Sequence, residues 1–404
     1  MQCRTGDDEV VRRRLRKQGR LILAIDAVRF DEVSPRLYVV RETLSEEVLY
    51  AERIEQADTE RLKSFLERVK TIGVPIAGVV TDKEHALVAA VEAVFPDADH
   101  QLCQTHYLKN LISKEMESDL TQLGSAVRET VQQVHDIEKT ALKGSAVSQE
   151  EKEVAAAICR GVRAVGKSRA GDKLVDPIPL KRYERLTEIT GRLQNSLAEK
   201  AGEWPVLTRI LTVLLLFAET SGELARRLGR QVEVIRRIAH ILHTESSGRQ
   251  VRRLLRTYLN RLEREAPNRG RGAARGRFIR HVIAVSDRFW KGLFACYDNP
   301  DVPNTNNELE QFLGSLKQHQ RRVHGRKSTA GGPLETCAPI FLEVWSRLDE
   351  HADLLALLQD LPEERLEEVL QEIERLGGPS RERRSIARDP MRHIEEVLSQ
   401  WNQG

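Results

Sequence analysis

Three acids in this 404-residue chain stand where an acid is costly or conspicuous. Asp26 interrupts the apolar run LILAIDAV (21–28), whose length and composition predict a strand. A charge at a strand centre is unfavourable unless it is paired or binds a metal. Asp82 ends a second apolar run, IAGVVTD (76–82), at a strand-to-helix junction. Strand ends are where α/β folds place their working groups. Plainer roles exist for both: a structural aspartate on a half-exposed strand for Asp26, and a helix N-cap for Asp82. The third acid lies in NTNNELEQFLGSLKQHQRRVHGRK (304–327). There Leu309, Phe312, Leu313 and Leu316 fall at i, i+3, i+4 and i+7, the spacing of a helix whose apolar stripe must pack on something. Glu310, Lys317 and Arg321 share another face. Glu308 falls nearly opposite Glu310, and both border the stripe, so helical geometry leaves open which of the two is the third acid.

Clustered carboxylates cannot all stay ionised without a counter-charge. Two Mg²⁺ ions, held roughly 3.5–4 Å apart, supply it, activating the attacking oxygen and stabilising the leaving oxygen of a phosphodiester. Such a layer of metal also explains why glutamates sit beside so many cations. Lys317, Arg321 and Arg322 then grip neighbouring backbone phosphates.

The elements that must position these acids are legible as patterns. LILAIDAV, RLYVVRE (36–42) and EEVLYAERI (46–54) predict three strands of an antiparallel meander. Asp58 opens a helix carrying Leu62, Phe65, Leu66 and Val69 on one face, with Gly73 at its C-terminal stop. A strand at 76–82, a helix over 83–95 stopped by Pro96, and a short strand DHQLC (99–103) complete an order β-β-β-α-β-α-β. Helical patterns then run to about 298, broken by the Gly/Arg segment PNRGRGAARGR (267–277) and closed by the turn-rich YDNPDVPNT (297–305). Three further helical patterns cover 335–359, 362–376 and about 390–401.

Bulk composition narrows the partners. Hydrophobic residues make up 40% of the chain and charged residues 31%, a mainly helical and soluble balance, and the 5% of aromatics argues against an all-β fold. The net charge of +3 says little, but between Arg226 and Arg288 there are 17 arginines, no lysine and five acids. Such a block offers a phosphate-binding face or, more plainly, a solvated helical surface. Five scattered cysteines (Cys3, Cys103, Cys159, Cys296, Cys337) form no paired framework and fit a reduced, cytoplasmic setting. No uninterrupted apolar run reaches the ~20 residues of a membrane span, and no signal-type apolar core follows the basic N-terminus.

Strand-Asp26, strand-Asp82 and helix-Glu310 in this order resemble the DDE transposases with an RNase H-like core, and more narrowly the bacterial insertion-sequence transposases akin to the Mutator-like group. The stretches that carry the resemblance are AIDAV, GVVTDKEHALVAAVEAVFPDADHQLCQTHYLKNL and NTNNELEQFLGSLKQHQRRVHGRK. In that family the second aspartate is followed by a helix, Phe-Pro and Cys-x-x-His, matched here by Asp82, Phe95-Pro96 and Cys103/His106. The late motif runs from Asn through Glu to a basic residue, Arg and Gly, matched by Asn306, Glu310, Lys317, Arg322 and Gly325. This match selects Glu310 over Glu308. The resemblance covers roughly residues 20–335. It implies an α/β fold: an RNase H-like core (21–106 and 304–335), a large helical insertion (107–303), a helical C-terminal tail (336–404) and a basic N-terminal segment (1–20).

The same resemblance implies an enzyme that cleaves DNA at transposon ends and transfers the freed 3′-hydroxyl to target DNA. Asp26, Asp82 and Glu310 would hold two Mg²⁺ ions, with Mn²⁺ as a substitute. Asn306, Lys317, Arg321, Arg322 and the loop arginines Arg269, Arg271, Arg275 and Arg277 would face DNA, and a homo-oligomer would act on paired ends. Cys103 and His106 would neighbour the active site. As a zinc site that pair is two ligands, with His100 a candidate third and no evident fourth; buried packing is the plainer role. Trp290 is a candidate for stacking on an unpaired base or, more plainly, for the core. The twenty residues ahead of the first strand are too few for a helix-turn-helix domain. That leaves two alternatives: a non-catalytic, DNA-binding remnant of a transposase, or another RNase H-like nuclease such as a junction resolvase.

Overall fold

The computed structural model describes residues 2–314, 386 and 389–403, apart from residues 4, 30–35, 142–146, 169–174, 201–202, 245 and 268–271. The chain divides into two units: residues up to 111 with 241–314, and residues 112–240 with the C-terminal helix Pro390–Gln403.

The first unit is built on a mixed sheet. Its strands are β1 (Gln2–Cys3), β2 (Leu21–Val28), β3 (Arg36–Glu42), β4 (Val48–Ile54), β5 (Ile76–Thr81) and β6 (Asp99–Leu102), in the spatial order β1-β4-β3-β2-β5-β6. The meander β2-β3-β4 is antiparallel, whereas β5 pairs parallel with β2 and β6 parallel with β5. The two-residue β1 and the basic helix α1 (Glu9–Gln18) add to the expected elements. Among the side chains described in α1, Val11 and Leu15 are the buried ones, too sparse a signal to announce a helix among so many arginines.

Because side chains alternate across a strand, the two faces of the sheet can be read residue by residue. Leu21, Leu23 and Ile25 of β2 pack with Val79 against α2 (Thr59–Lys70) and α3 (His85–Val94), through Leu62, Phe65, Leu66, Val69, Leu87 and Val91. Asp58 caps α2 as expected, accepting from the backbone N–H of Arg61 at 2.8 Å, and Gly73 adopts φ +76° just beyond its end. The other face holds Ala24, Leu37, Val39, Val48, Ala51 and Val80. These are covered by Leu309 and Leu313, with Phe312 partly buried beside them, from a helical stretch over 307–314. The predicted apolar stripe thus has its partner. Each leucine so buried contributes about 1.5–3 kcal/mol.

Beyond β6 the chain forms α4 (Gln104–Asn110) and then the four long helices α5 (Lys114–Ala141), α6 (Gln149–Lys167), α7 (Ile178–Glu199) and α8 (Pro205–Leu242). The helices α9 (Gly248–Glu265) and α10 (Ala273–Phe289) follow. The helical run expected over 107–303 is therefore shared: 112–240 forms the second unit, whereas α9 and α10 belong with the sheet. There Tyr107 of α4 stacks at 5.4 Å on Phe289 and pairs at 2.8 Å with Ser286 of α10. In the second unit Val134, Ile158, Val162, Ile189, Leu193 and Ile210 form one core. The C-terminal helix completes it with Ile394, Leu398 and Trp401, the last edge-on to Trp204 at 5.0 Å. Among the described residues one helix, α8, is long and apolar enough by length and composition to cross a membrane. Its Leu207, Ile210, Leu214 and Phe217 are core residues of this unit, and Arg209 and Glu219 on the same helix are exposed.

Candidate active site

The parallel register between β2 and β5 ends at Ile25↔Thr81. One step further along stand Asp26, still within β2, and Asp82, just past the end of β5, on the face that also carries Ala24 and Val80. The register between β5 and β6 ends at Thr81↔Leu102, so Cys103 occupies the next equivalent place, its backbone N–H donating to the Thr81 carbonyl at 2.8 Å. Three strands thus deliver an aspartate, an aspartate and a cysteine to one edge. Asp82 does not cap α3; that place belongs to Glu84, whose backbone N–H donates to Asp82 Oδ1 at 3.2 Å.

Glu310 arrives from the opposite end of the sequence. Residues 299–306 lie along β5 and β6: Asn299 donates to Asp99 at 2.9 Å, and the backbone N–H of Gln104 donates to the carbonyl of Asn304 at 3.0 Å. Gly78 has no room for a side chain, since a Cβ there would lie 2.3 Å from Val302. Asn306 then fixes the start of the glutamate helix. Its side-chain amide donates to the carbonyl of Ile25 at 3.0 Å, its backbone N–H points to Cys103 Sγ at 3.3 Å, and its carbonyl accepts from the N–H of Glu310 at 2.9 Å. Asn306 is buried, and its Oδ1 has no hydrogen-bond partner. The helix turns Glu310 inward and leaves Glu308, with a side chain 78% exposed, 3.9 Å from Arg41. The two glutamates that the helical wheel left equivalent are thus in different surroundings, Glu310 against α4 and Glu308 at the surface.

The electrostatics follow from that convergence. Asp26 is buried, and its carboxyl is pushed from the ordinary 3.8 up to about 7. Burial is the main cause, and the negative charges of Asp82 and Glu310 add to it; a hydrogen bond from the Ala27 N–H and the charge of Lys109 oppose it. Lys109 Nζ lies 3.1 Å from one oxygen of Glu310, and His106 Nδ1 lies 3.4 Å from the other. Neither Glu310 Oε1 nor His106 Nδ1 makes a hydrogen bond. Cys103, His106 and Glu310 bring their ligand atoms within 4.8 Å of one another, the one such group of three among the described residues. In this conformation Glu310 is thus within electrostatic reach of the aspartates, with its oxygens turned to α4. A group of carboxylates that holds one of its members protonated up to about pH 7, beside a buried carboxylate oxygen without a hydrogen bond, fits a divalent cation.

Lys109 was not singled out in the sequence, although it extends Cys103-x-x-His106 by a further three residues, one helical turn. His100, the candidate third ligand, points elsewhere: its Nε2 pairs with Thr81 Oγ1 at 2.9 Å, and burial pushes its pKa down to about 4. Trp290 packs edge-on to Phe294 at 5.0 Å under the guanidinium of Arg256 at 3.9 Å. Arg275 and Arg277 lie exposed on α10, Arg275 being 4.0 Å from Glu265. Arg269, Arg271, Lys317, Arg321 and Arg322 fall outside the described residues.

Residues 40–166 match the family model described as Transposase, Mutator family. This stretch is similar to Mutator-family transposases. It contains Asp82, Cys103 and His106, and it is the same family to which the motifs pointed. Among solved structures the chain is similar to the Drosophila P element transposase strand transfer complex, at 11% identity and a TM-score of 0.31, over 82% of this chain and 78% of that one. No curated protein matches. The family match supports a transposase role.

Proposed function

We propose that the chain is a DDE-type transposase that cleaves DNA at transposon ends and joins the freed 3′-hydroxyl to target DNA, using an RNase H-like core. The observation that carries this reading is the meeting of Asp26, Asp82 and the Asn306–Glu310 turn at one end of the sheet, from the two ends of the chain. The fold reading is supported by a central β2 flanked by an antiparallel meander and two parallel strands. Asp26, Asp82 and Glu310 would hold two Mg²⁺ ions, which activate the attacking oxygen and stabilise the leaving oxygen when bound. The chain's own residues supply position and charge. Asn306 fixes the glutamate helix to β2. Lys109 partly neutralises the acids until a cation arrives. Asp26, once ionised, supplies the most deeply buried of the three carboxylates.

The DNA-facing surface is best supported on α9. Its Val251, Leu255, Leu259 and Leu262 are buried, and Arg249, Arg253 and Arg264 are exposed on the remaining face. A helix with that distribution offers phosphate contacts without base specificity. The test is Mg²⁺-dependent nicking of DNA carrying the element's ends. Asp26→Asn, Asp82→Asn and Glu310→Gln should each abolish nicking and leave DNA binding within about twofold of wild type. Normal nicking by Glu310→Gln would overturn the assignment of the third acid.

A further inference from the structure

We propose that Cys103, His106 and Glu310 form a second metal site, selective for zinc-class cations, whose occupation takes Glu310 away from the two aspartates. Three observations carry it. The thiol sulfur, the imidazole Nδ1 and a carboxylate oxygen already lie within 4.8 Å of one another. Two of the three donor atoms, His106 Nδ1 and Glu310 Oε1, are buried without a hydrogen-bond partner. The frame is hydrogen-bonded: Cys103 follows β6 and caps α4, His106 lies on the first turn of α4, and Asn306 links β2, Cys103 and the glutamate helix.

The donor set decides which metal. Sulfur, nitrogen and one carboxylate oxygen suit Zn²⁺ and Co²⁺, with a fourth position open to water, whereas Mg²⁺ demands oxygen ligands. Binding converts the Cys103 thiol to a thiolate and releases its proton to solvent. Burial holds that thiol protonated in the absence of metal. Asp26 and Asp82 keep the hard-cation side of the pocket. Glu310 lies between the two sides and is the ligand they compete for. One of its oxygens rests on Lys109; the other already lies 3.4 Å from His106 Nδ1, so a shared cation would sit between two groups that face each other. The inhibitory consequence rests on the reading of Glu310 as the third catalytic acid; the binding itself does not.

The test separates these two levels. Metal-free full-length protein is titrated with Co²⁺, and the thiolate-to-cobalt charge-transfer absorption is followed. Wild type should develop the band with one equivalent, and a large excess of Mg²⁺ should not remove it. Cys103→Ser should abolish it, and His106→Gln, at a partly exposed side chain, should weaken binding by about tenfold or more. Asp26→Asn should leave the titration unchanged. A band of equal strength in both Cys103→Ser and His106→Gln, or Co²⁺ binding without any thiolate band, overturns the site. In a nicking assay Zn²⁺ should inhibit wild type at micromolar concentration against millimolar Mg²⁺, and whatever nicking Cys103→Ser retains should be insensitive to Zn²⁺. A cobalt band with no nicking under any condition would sink the transposase reading and leave the metal site standing. Zn²⁺-insensitive nicking by a wild type that does show the band would refute the competition for Glu310.

Discussion

Replacing Asp26 by asparagine should change how the protein's stability depends on pH. In the unfolded chain this carboxyl ionises near its ordinary 3.8; in the folded, metal-free protein it does so near 7. Between those values the folded state holds a proton that the unfolded state has released. Stability therefore falls as pH rises from about 4 to about 7, and the loss is complete above that window. Three decades of proton affinity at ~1.4 kcal/mol each set an upper bound of about 4 kcal/mol. Asp82 and Glu310 sense the same proton, so the curve belongs to the cluster as much as to one residue. The assay is urea unfolding in the presence of chelator from about pH 4.5 to 8, reported as the difference between wild type and Asp26→Asn. The variant should gain stability relative to wild type as pH rises, and saturating Mg²⁺ at pH above 7 should close the gap by favouring the ionised wild-type cluster. A difference that stays flat across the window, or that grows towards acid pH, would refute the burial and clustering of this carboxylate.

Further outcomes follow from the same geometry. Glu308→Gln should nick DNA at the wild-type rate, since that side chain points to solvent beside Arg41, while Glu310→Gln should be inactive in the same assay. Lys109→Met removes an ion pair with Glu310 whose members are partly exposed. It should lower the Mg²⁺ concentration for half-maximal binding by about two- to fivefold, read by calorimetry, as expected for a pair contributing ~0.5–1 kcal/mol. Leu309→Ala should cost about 2–5 kcal/mol of anchoring, seen as loss of hydrogen-exchange protection over 307–314 ahead of the sheet. Charge reversal at Arg249, Arg253 and Arg264 should weaken DNA binding and flatten its salt dependence by about one unit of log–log slope per lost phosphate contact.

The strands and the two aspartates were legible because their signals are local. A charge inside an apolar run and an acid at a strand end remain conspicuous in one dimension, and the expected β-β-β-α-β-α-β order is seen. Leu309 and Leu313 announced that their helix packs, and the sheet face they cover supplied the missing partner. Which glutamate turns inward was not legible from periodicity, because Glu308 and Glu310 flank the stripe symmetrically; the tether from Asn306 to Ile25 breaks that symmetry, and it is long-range. Nor did amphipathic spacing reveal that α9 and α10 belong with the sheet while α5 to α8 form their own core. A helix's apolar stripe says that a face is buried, not what buries it. The role of Lys109 was hidden for a related reason: an exposed lysine on a short helix looks solvated until Glu310 is brought to it.

The hydrogen bond from Asn306 to the carbonyl of Ile25 joins residues 281 positions apart. During synthesis the sheet and both aspartates emerge from the ribosome long before the segment that carries Glu310, and domains tend to fold as they appear. A nascent or prematurely terminated chain would therefore present a formed sheet and two of its acids, but no third. On the proposed reading, the last of the three acids joins the site only after most of the chain has been translated, so interrupted translation would yield inactive fragments.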